Sequence, residues 1–227
     1  MPEPDPKTAC LLPPLPPALD HLWETIVDLG EALSADKWML VGGQMVMLHG
    51  LIAGRVMTRA TNDIDMLAAI LLPPSRPKLS ECVRTVKKLG FAPLEANDPE
   101  LLHRFIRPAD GAVIDILAPD HQSWPPITKA PRATVRIDGG SQALVLKAAA
   151  FKAEKLRPER HISDAAFLAS LVTDPIRFRT HFKGSDYGRI LYLDKHLADP
   201  NHPAWTPLGV HREDAQATWR ILCSPRR

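Results

Sequence analysis

Three aspartates lie inside two short apolar runs, and few arrangements of the chain can accommodate them. The first run is Asn62-Asp63-Ile64-Asp65-Met66-Leu67. In an extended strand, side chains alternate in direction. Asp63 and Asp65 therefore share one face, while Ile64 and Met66 point to the other, toward a core. Two like charges side by side on an apolar strand are costly unless a cation or another partner neutralises them. The second run is Ala112-Val113-Ile114-Asp115-Ile116-Leu117, in which Asp115 is the only charge. Such a residue sits at an exposed edge or is paired. If the two strands are neighbours in one sheet, the three carboxylates converge. If each lies at a separate solvated edge, they are unrelated.

The rest of the chain supplies the other elements of a sheet-and-helix domain. Leu19, Leu22, Trp23, Ile26, Leu29 and Leu33 recur every three or four residues, predicting an amphipathic helix over 18–35. Trp38 to Val41 reads as a strand stopped by Gly42-Gly43, with a buried helix from Gln44 to Leu51. Leu79 to Leu89, closed by Gly90, predicts a helix with a glycine stop. Leu101–Arg107 and Ala112–Leu117 flank Asp110-Gly111, the dipeptide suited to a tight hairpin turn. Ala133 to Ile137 reads as a further short strand before Asp138-Gly139-Gly140. Helical periodicity takes over in 142–156, is interrupted at Pro158, resumes at 162–171 and weakens beyond Asp174. The expectation is an α+β fold: a small mixed sheet with helices over 18–140, then a mainly helical region over 141–227. A proline-rich lead-in occupies 1–17.

Composition narrows the setting more than the chemistry. The 23 prolines, about twice the ordinary share, cluster in the lead-in and between Pro73 and Pro131, where they mark loops. A net charge of +2 is too small for a broadly basic nucleic-acid binder, so any such contact must be local. Cys10, Cys82 and Cys223 are odd in number and far apart, which suits neither a disulfide framework nor a metal clip. None of the nine histidines forms a ligand cluster with cysteine, so zinc is not indicated. The longest uncharged apolar stretch, Trp38 to Gly54, is too short and too interrupted to span a bilayer. The acidic, proline-rich start is unlike a signal peptide. The expected setting is the cytoplasm, without a membrane.

Converging carboxylates suit a hard divalent cation such as Mg²⁺ (or Mn²⁺), which takes one or two of them together with phosphates and water. Two such ions could stabilise the attacking and leaving oxygens of a phosphoryl-type transfer, with Asp115 placed as general base. Val41-Gly42-Gly43-Gln44 precedes the acidic pair by about twenty residues. Glycines after a strand let the backbone approach a ligand, and amides at a helix start favour phosphate. No Gly-Lys-Ser/Thr follows, so this is not a Walker loop.

Val41-Gly42-Gly43, His49-Gly50 and Arg59-Ala60-Thr61-Asn62-Asp63-Ile64-Asp65 together resemble the opening of the DNA polymerase β-like nucleotidyltransferase superfamily. More narrowly, they resemble the AbiEii/MenT-type toxins of toxin–antitoxin systems. Asp115 stands as the third aspartate on a later strand. Leu146-Lys147-Ala148-Ala149-Ala150 and Arg160-His161-Ile162-Ser163-Asp164 resemble that group's lysine helix and the following basic stretch with its aspartate. Gln44 stands where Ser, Thr or Ala is commoner, and His161 where the toxin group often has Asp. The resemblance covers about 38–171. It implies a metal-dependent enzyme with Asp63, Asp65 and Asp115 as catalytic metal ligands. Gly42, Gly43, Gln44, Arg59, Thr61, Lys147 and Asp164 would lie toward the nucleotide. The implied reaction moves a nucleoside monophosphate from an NTP onto an acceptor, for the toxin group the tRNA 3′ end, under restraint by a cognate antitoxin.

The basic residues leave alternatives open. Lys147 sits among apolar residues, where its ammonium wants an anion: either a triphosphate or Asp164 as counter-ion. Lys152 and Lys155 read as a solvated face. Arg55 and Arg59 either clamp a phosphate or serve the loop, and Arg59 could pair with Asp63. Trp23 is expected in the core, whereas Trp124, Trp205 or Trp219 could stack on a base. Two other functions share these residues. One is transfer to a protein or a small molecule such as an aminoglycoside; the other is an inactive nucleotide-binding or interaction module.

Overall fold

The computed structural model describes residues 17–34, 36–57, 61–68, 76–94, 104–117, 140–154 and 157–225. The chain divides into two compact units, Met1–Gln44 with Ala60–Ile137, and Met45–Arg59 with Asp138–Arg227. The segment Met45–Arg59 thus joins the mainly helical unit, although the sequence grouped it with the sheet. The fold is α+β, with a small mixed sheet.

Among the described residues, the first unit holds the sheet and the helices α1 (Pro17–Ala32) and α3 (Arg76–Lys88). The strands are β1 (Trp38–Val41), β2 (Asp63–Ala68), β3 (Ala92–Pro93), β4 (Arg104–Ile106) and β5 (Val113–Leu117). Their order is β1-β2-β5-β4-β3, with only β2 and β5 parallel. Both aspartate runs therefore lie in the middle of the sheet, side by side, with Asp65 opposite Asp115. Ile64, Met66, Ile114, Ile116 and Phe105 fall on the opposite face and are buried. Arg107, two residues beyond Phe105 and so on that face, donates to Thr25 of α1 at 2.7 Å, which places α1 over it. α3 ends as its glycine predicts: Gly90 takes φ +87 and Phe91 N–H closes back on Val86.

The hairpin between β4 and β5 closes where the two expected runs meet: Arg107 N–H pairs with Ala112 C=O across a loop of Pro108 to Gly111, and Gly111 takes φ +73. Asp110 works by its side chain, accepting from Ala112 N–H and from the Arg107 guanidinium. This pairing sets Arg104 opposite Asp115.

α2 (Gly42–Ile52) starts in the first unit and runs on into the second. The second unit also contains α4 (Gly140–Ala153), α5 (Glu159–Ser170), α6 (Pro175–Arg179), α7 (Asp186–Leu197) and α8 (Arg212–Cys223). A 3₁₀ segment, Pro203–His211, precedes α8. α5 is buried on nearly every side, from His161 through Ala169, and packs against α4, α7, α8 and the 3₁₀ segment. Gly50 permits close passage of α2 past Phe167, since a Cβ there would lie 2.8 Å from that ring. Sequence periodicity fades beyond Asp174, yet order does not. Asp174 caps α6 by accepting from Arg177 N–H, with Pro175 at the first helical position. Trp205 and Trp219 are fully buried, their rings 6.5 Å apart edge to face, so neither is available to stack on a base. Among the described residues, no helix is long and apolar enough to cross a membrane.

Candidate metal centre

Asp63, Asp65 and Asp115 meet on one face of the first unit's sheet. Each offers a carboxylate oxygen, and these atoms lie within 4.8 Å of one another, the one such cluster among the described residues. The cause is strand geometry. Asp63 and Asp65 are two apart on β2, and the parallel register with β5 puts Asp115 beside Asp65. All three donors are hard oxygens at a spacing one cation can bridge, and this set fits Mg²⁺ or Mn²⁺ better than zinc.

Two features hold the acids in place. Gly42, at the junction of β1 and α2, takes φ +71 and lies hard against Asp65; a Cβ there would sit 1.7 Å from Asp65 Oδ2 and 2.7 Å from its Cβ. Only glycine meets both demands. A Cβ on Gly43 would meet the Thr61 side chain at 2.8 Å. Thr61 in turn donates its hydroxyl to Asp63 Oδ1 at 2.6 Å. Gln44 is buried and donates its amide to Thr61 C=O at 3.1 Å, tying the first turn of α2 to the approach of β2. The glycine pair, Gln44 and Thr61 therefore all belong to the surroundings of the acids. Gln44 serves them through the Thr61 backbone, while its Oε1 is buried without a hydrogen-bond partner.

The residue that sequence reasoning missed is Arg104. Its Nε and Nη2 donate to the two oxygens of Asp115 at 2.8 and 2.6 Å, a bidentate pair. The Asp115 side chain is 8% exposed and that of Arg104 45%, so the pair runs from the sheet interior out to solvent. The hydrogen bonds to Asp115 hold the guanidinium firmly protonated, and Asp63 and Asp65 add to the effect. The signal that could have found it is the hairpin: pairing Arg107 with Ala112, where the two runs end and begin, sets Arg104 opposite Asp115.

Lys147 and Asp164 belong to the second unit. Lys147 Nζ lies 2.8 Å from Asp164 Oδ2, and both side chains are buried. Of the two partners expected for Lys147, the structure supplies the counter-ion. His161, on the same helix as Asp164, is also buried, with neither ring nitrogen hydrogen-bonded. Burial, and then the charges of Lys147 and Arg160, push its pKa down to about 4. Arg55 donates to Ser170 C=O at 2.6 Å and lines a cavity of about 290 Å³ with Asp164 and His211. Lys152 is solvated and lies over the Tyr192 ring. Cys82 and Cys223 are free thiols; burial lifts Cys82 to about 11. Arg59, Lys155, Trp124, Cys10 and the 133–137 segment lie outside the described residues. Compared with protein-family models and with curated proteins, the chain matches none.

Proposed function

We propose that the protein is a Mg²⁺- or Mn²⁺-dependent nucleotidyltransferase of the DNA polymerase β-like superfamily, of the AbiEii/MenT type. The observation that carries this reading is the convergence of Asp63, Asp65 and Asp115 within 4.8 Å on adjacent strands, beside a glycine pair that opens a helix. Bound by these carboxylates, a divalent cation would neutralise charge on the nucleotide phosphates and the departing pyrophosphate. The protein's own groups do the rest. Thr61 fixes the orientation of Asp63, and Gly42 lets the backbone approach Asp65. The start of α2 turns the backbone amides of its first turn toward an anion as a helix N-terminus does. In the reaction, an acceptor hydroxyl oxygen bonds to the α-phosphorus as the bond to the bridging oxygen breaks. Pyrophosphate leaves, and Asp115 takes the hydroxyl proton.

The proposed acceptor is the tRNA 3′ end, and the proposed setting is a cytoplasmic toxin held by an antitoxin. The modest net charge suits a short acceptor end better than a long nucleic-acid footprint. The test is incubation of the protein with Mg²⁺, total tRNA and each α-³²P-labelled NTP in turn, beside an Asp65→Ala control. Label on tRNA only with the intact protein is the expected result. Label on protein or on an aminoglycoside instead would transfer the reading to those acceptors. Equal labelling by Asp65→Ala would overturn the site.

A further inference from the structure

The proposed metal centre contains a cation of its own making. Arg104 occupies both oxygens of Asp115, the most buried of the three acids, in a bidentate pair. A bidentate arginine fills one lone-pair direction on each oxygen and sets a positive charge beside them. While it stays, Asp115 offers a metal ion only its remaining directions, against the repulsion of the guanidinium. The guanidinium end is half exposed, so it has room to leave. Asp115 has little such freedom. It lies in the central strand, between β2 and β4, with Ile114 and Ile116 anchored in the core.

We propose that Arg104 is an internal competitor for the metal. It stabilises the acidic cluster when no ion is bound and gives up Asp115 when the ion enters. This rests on the metal reading of the triad and adds a specific consequence. Metal binding at this site is an exchange of cations, and its affinity is set partly by the strength of the Arg104–Asp115 pair. A purely structural role for Arg104 predicts the reverse: loss of the arginine would loosen Asp115 and weaken metal binding.

Mn²⁺ affinity by calorimetry and the melting temperature with and without Mn²⁺, on the full chain, distinguish the two. Arg104→Met removes both the charge and the fork. It should bind Mn²⁺ about tenfold or more tightly than the wild type, because two charge-assisted hydrogen bonds no longer need breaking. Without metal it should melt below the wild type, and Mn²⁺ should raise its melting temperature by more than that of the wild type. Arg104→Lys keeps the charge and loses the fork; it should fold normally and gain affinity by a smaller factor. Equal or weaker Mn²⁺ binding by both variants, with the wild type binding and Asp65→Asn not, would overturn the exchange while leaving the metal centre standing. No binding by the wild type or any variant would remove the metal centre, and the exchange with it.

Discussion

Gly42→Ala should do far more damage than a positive-φ glycine substitution ordinarily does, and the excess can be worked out from its neighbours. Gly42 and Gly111 both take left-handed backbone conformations, φ +71 and +73, in the same unit. A Cβ on Gly111 meets nothing within 4 Å, whereas one on Gly42 would overlap the Asp65 carboxylate at 1.7 Å and Asp65 Cβ at 2.7 Å. Gly111→Ala therefore carries only the backbone term, about 1–2 kcal/mol. Gly42→Ala carries the same term plus the displacement of Asp65. Ordinary van der Waals contact requires more than 3.4 Å. The carboxylate must then retreat by more than an ångström, by a change of rotamer or a shift of β2, adding about 1–3 kcal/mol. Misplacement on that scale also costs about a hundredfold in catalysis. Urea denaturation of both variants, with Mn²⁺ titration of each, separates the terms. Gly111→Ala should bind Mn²⁺ like the wild type, and Gly42→Ala should be the less stable and bind more weakly. Equal stability losses and unchanged Mn²⁺ binding would refute the claim that Gly42 is there for Asp65.

Other consequences follow from the second unit and from the support of Asp63. His161 has a pKa lowered to about 4 against 6.5 when exposed, so the unfolded chain takes up its proton first on acidification. Its contribution is therefore complete above pH 6.5 and lost as the pH falls toward 4, by up to about 3 kcal/mol. Denaturation measured at several pH values should show a flatter profile across that window in His161→Leu. Lys147→Met should cost about 3–5 kcal/mol by stranding Asp164, and Lys147→Met with Asp164→Leu should recover much of it in a denaturation cycle. Thr61→Val removes the hydroxyl that orients Asp63; Mn²⁺ affinity should fall severalfold, with a stability change of about 1 kcal/mol.

Much of the first unit was legible because its signals are local. Alternation put Asp63 and Asp65 on one face, and an isolated charge in an apolar run singled out Asp115. Gly42-Gly43 marked the end of β1, and Gly90 the end of α3. What stayed hidden depended on partners distant in sequence or across the hairpin. The Pro108–Gly111 loop keeps Gly111 in the left-handed conformation expected of a turn glycine, and the register it sets brings Arg104 opposite Asp115. Nothing in the neighbours of Gln44 announces that Thr61 C=O, seventeen residues on, takes its amide. Trp205 and Trp219 looked peripheral because they follow prolines or lie near the end of the chain. Their burial comes from packing among α5, α8 and the 3₁₀ segment, which periodicity does not encode.

The claim on which the rest depends is that three carboxylates from two strands form one cation site, and it can be tested without knowing the acceptor. Mn²⁺ titration followed by electron paramagnetic resonance, on the wild type and on Asp63→Asn, Asp65→Asn and Asp115→Asn, is the direct measurement. The account predicts that the wild type takes up the ion and that each substitution weakens uptake by about tenfold or more, since each removes a charged ligand. Uptake that is absent in the wild type, or unchanged in all three variants, would contradict it.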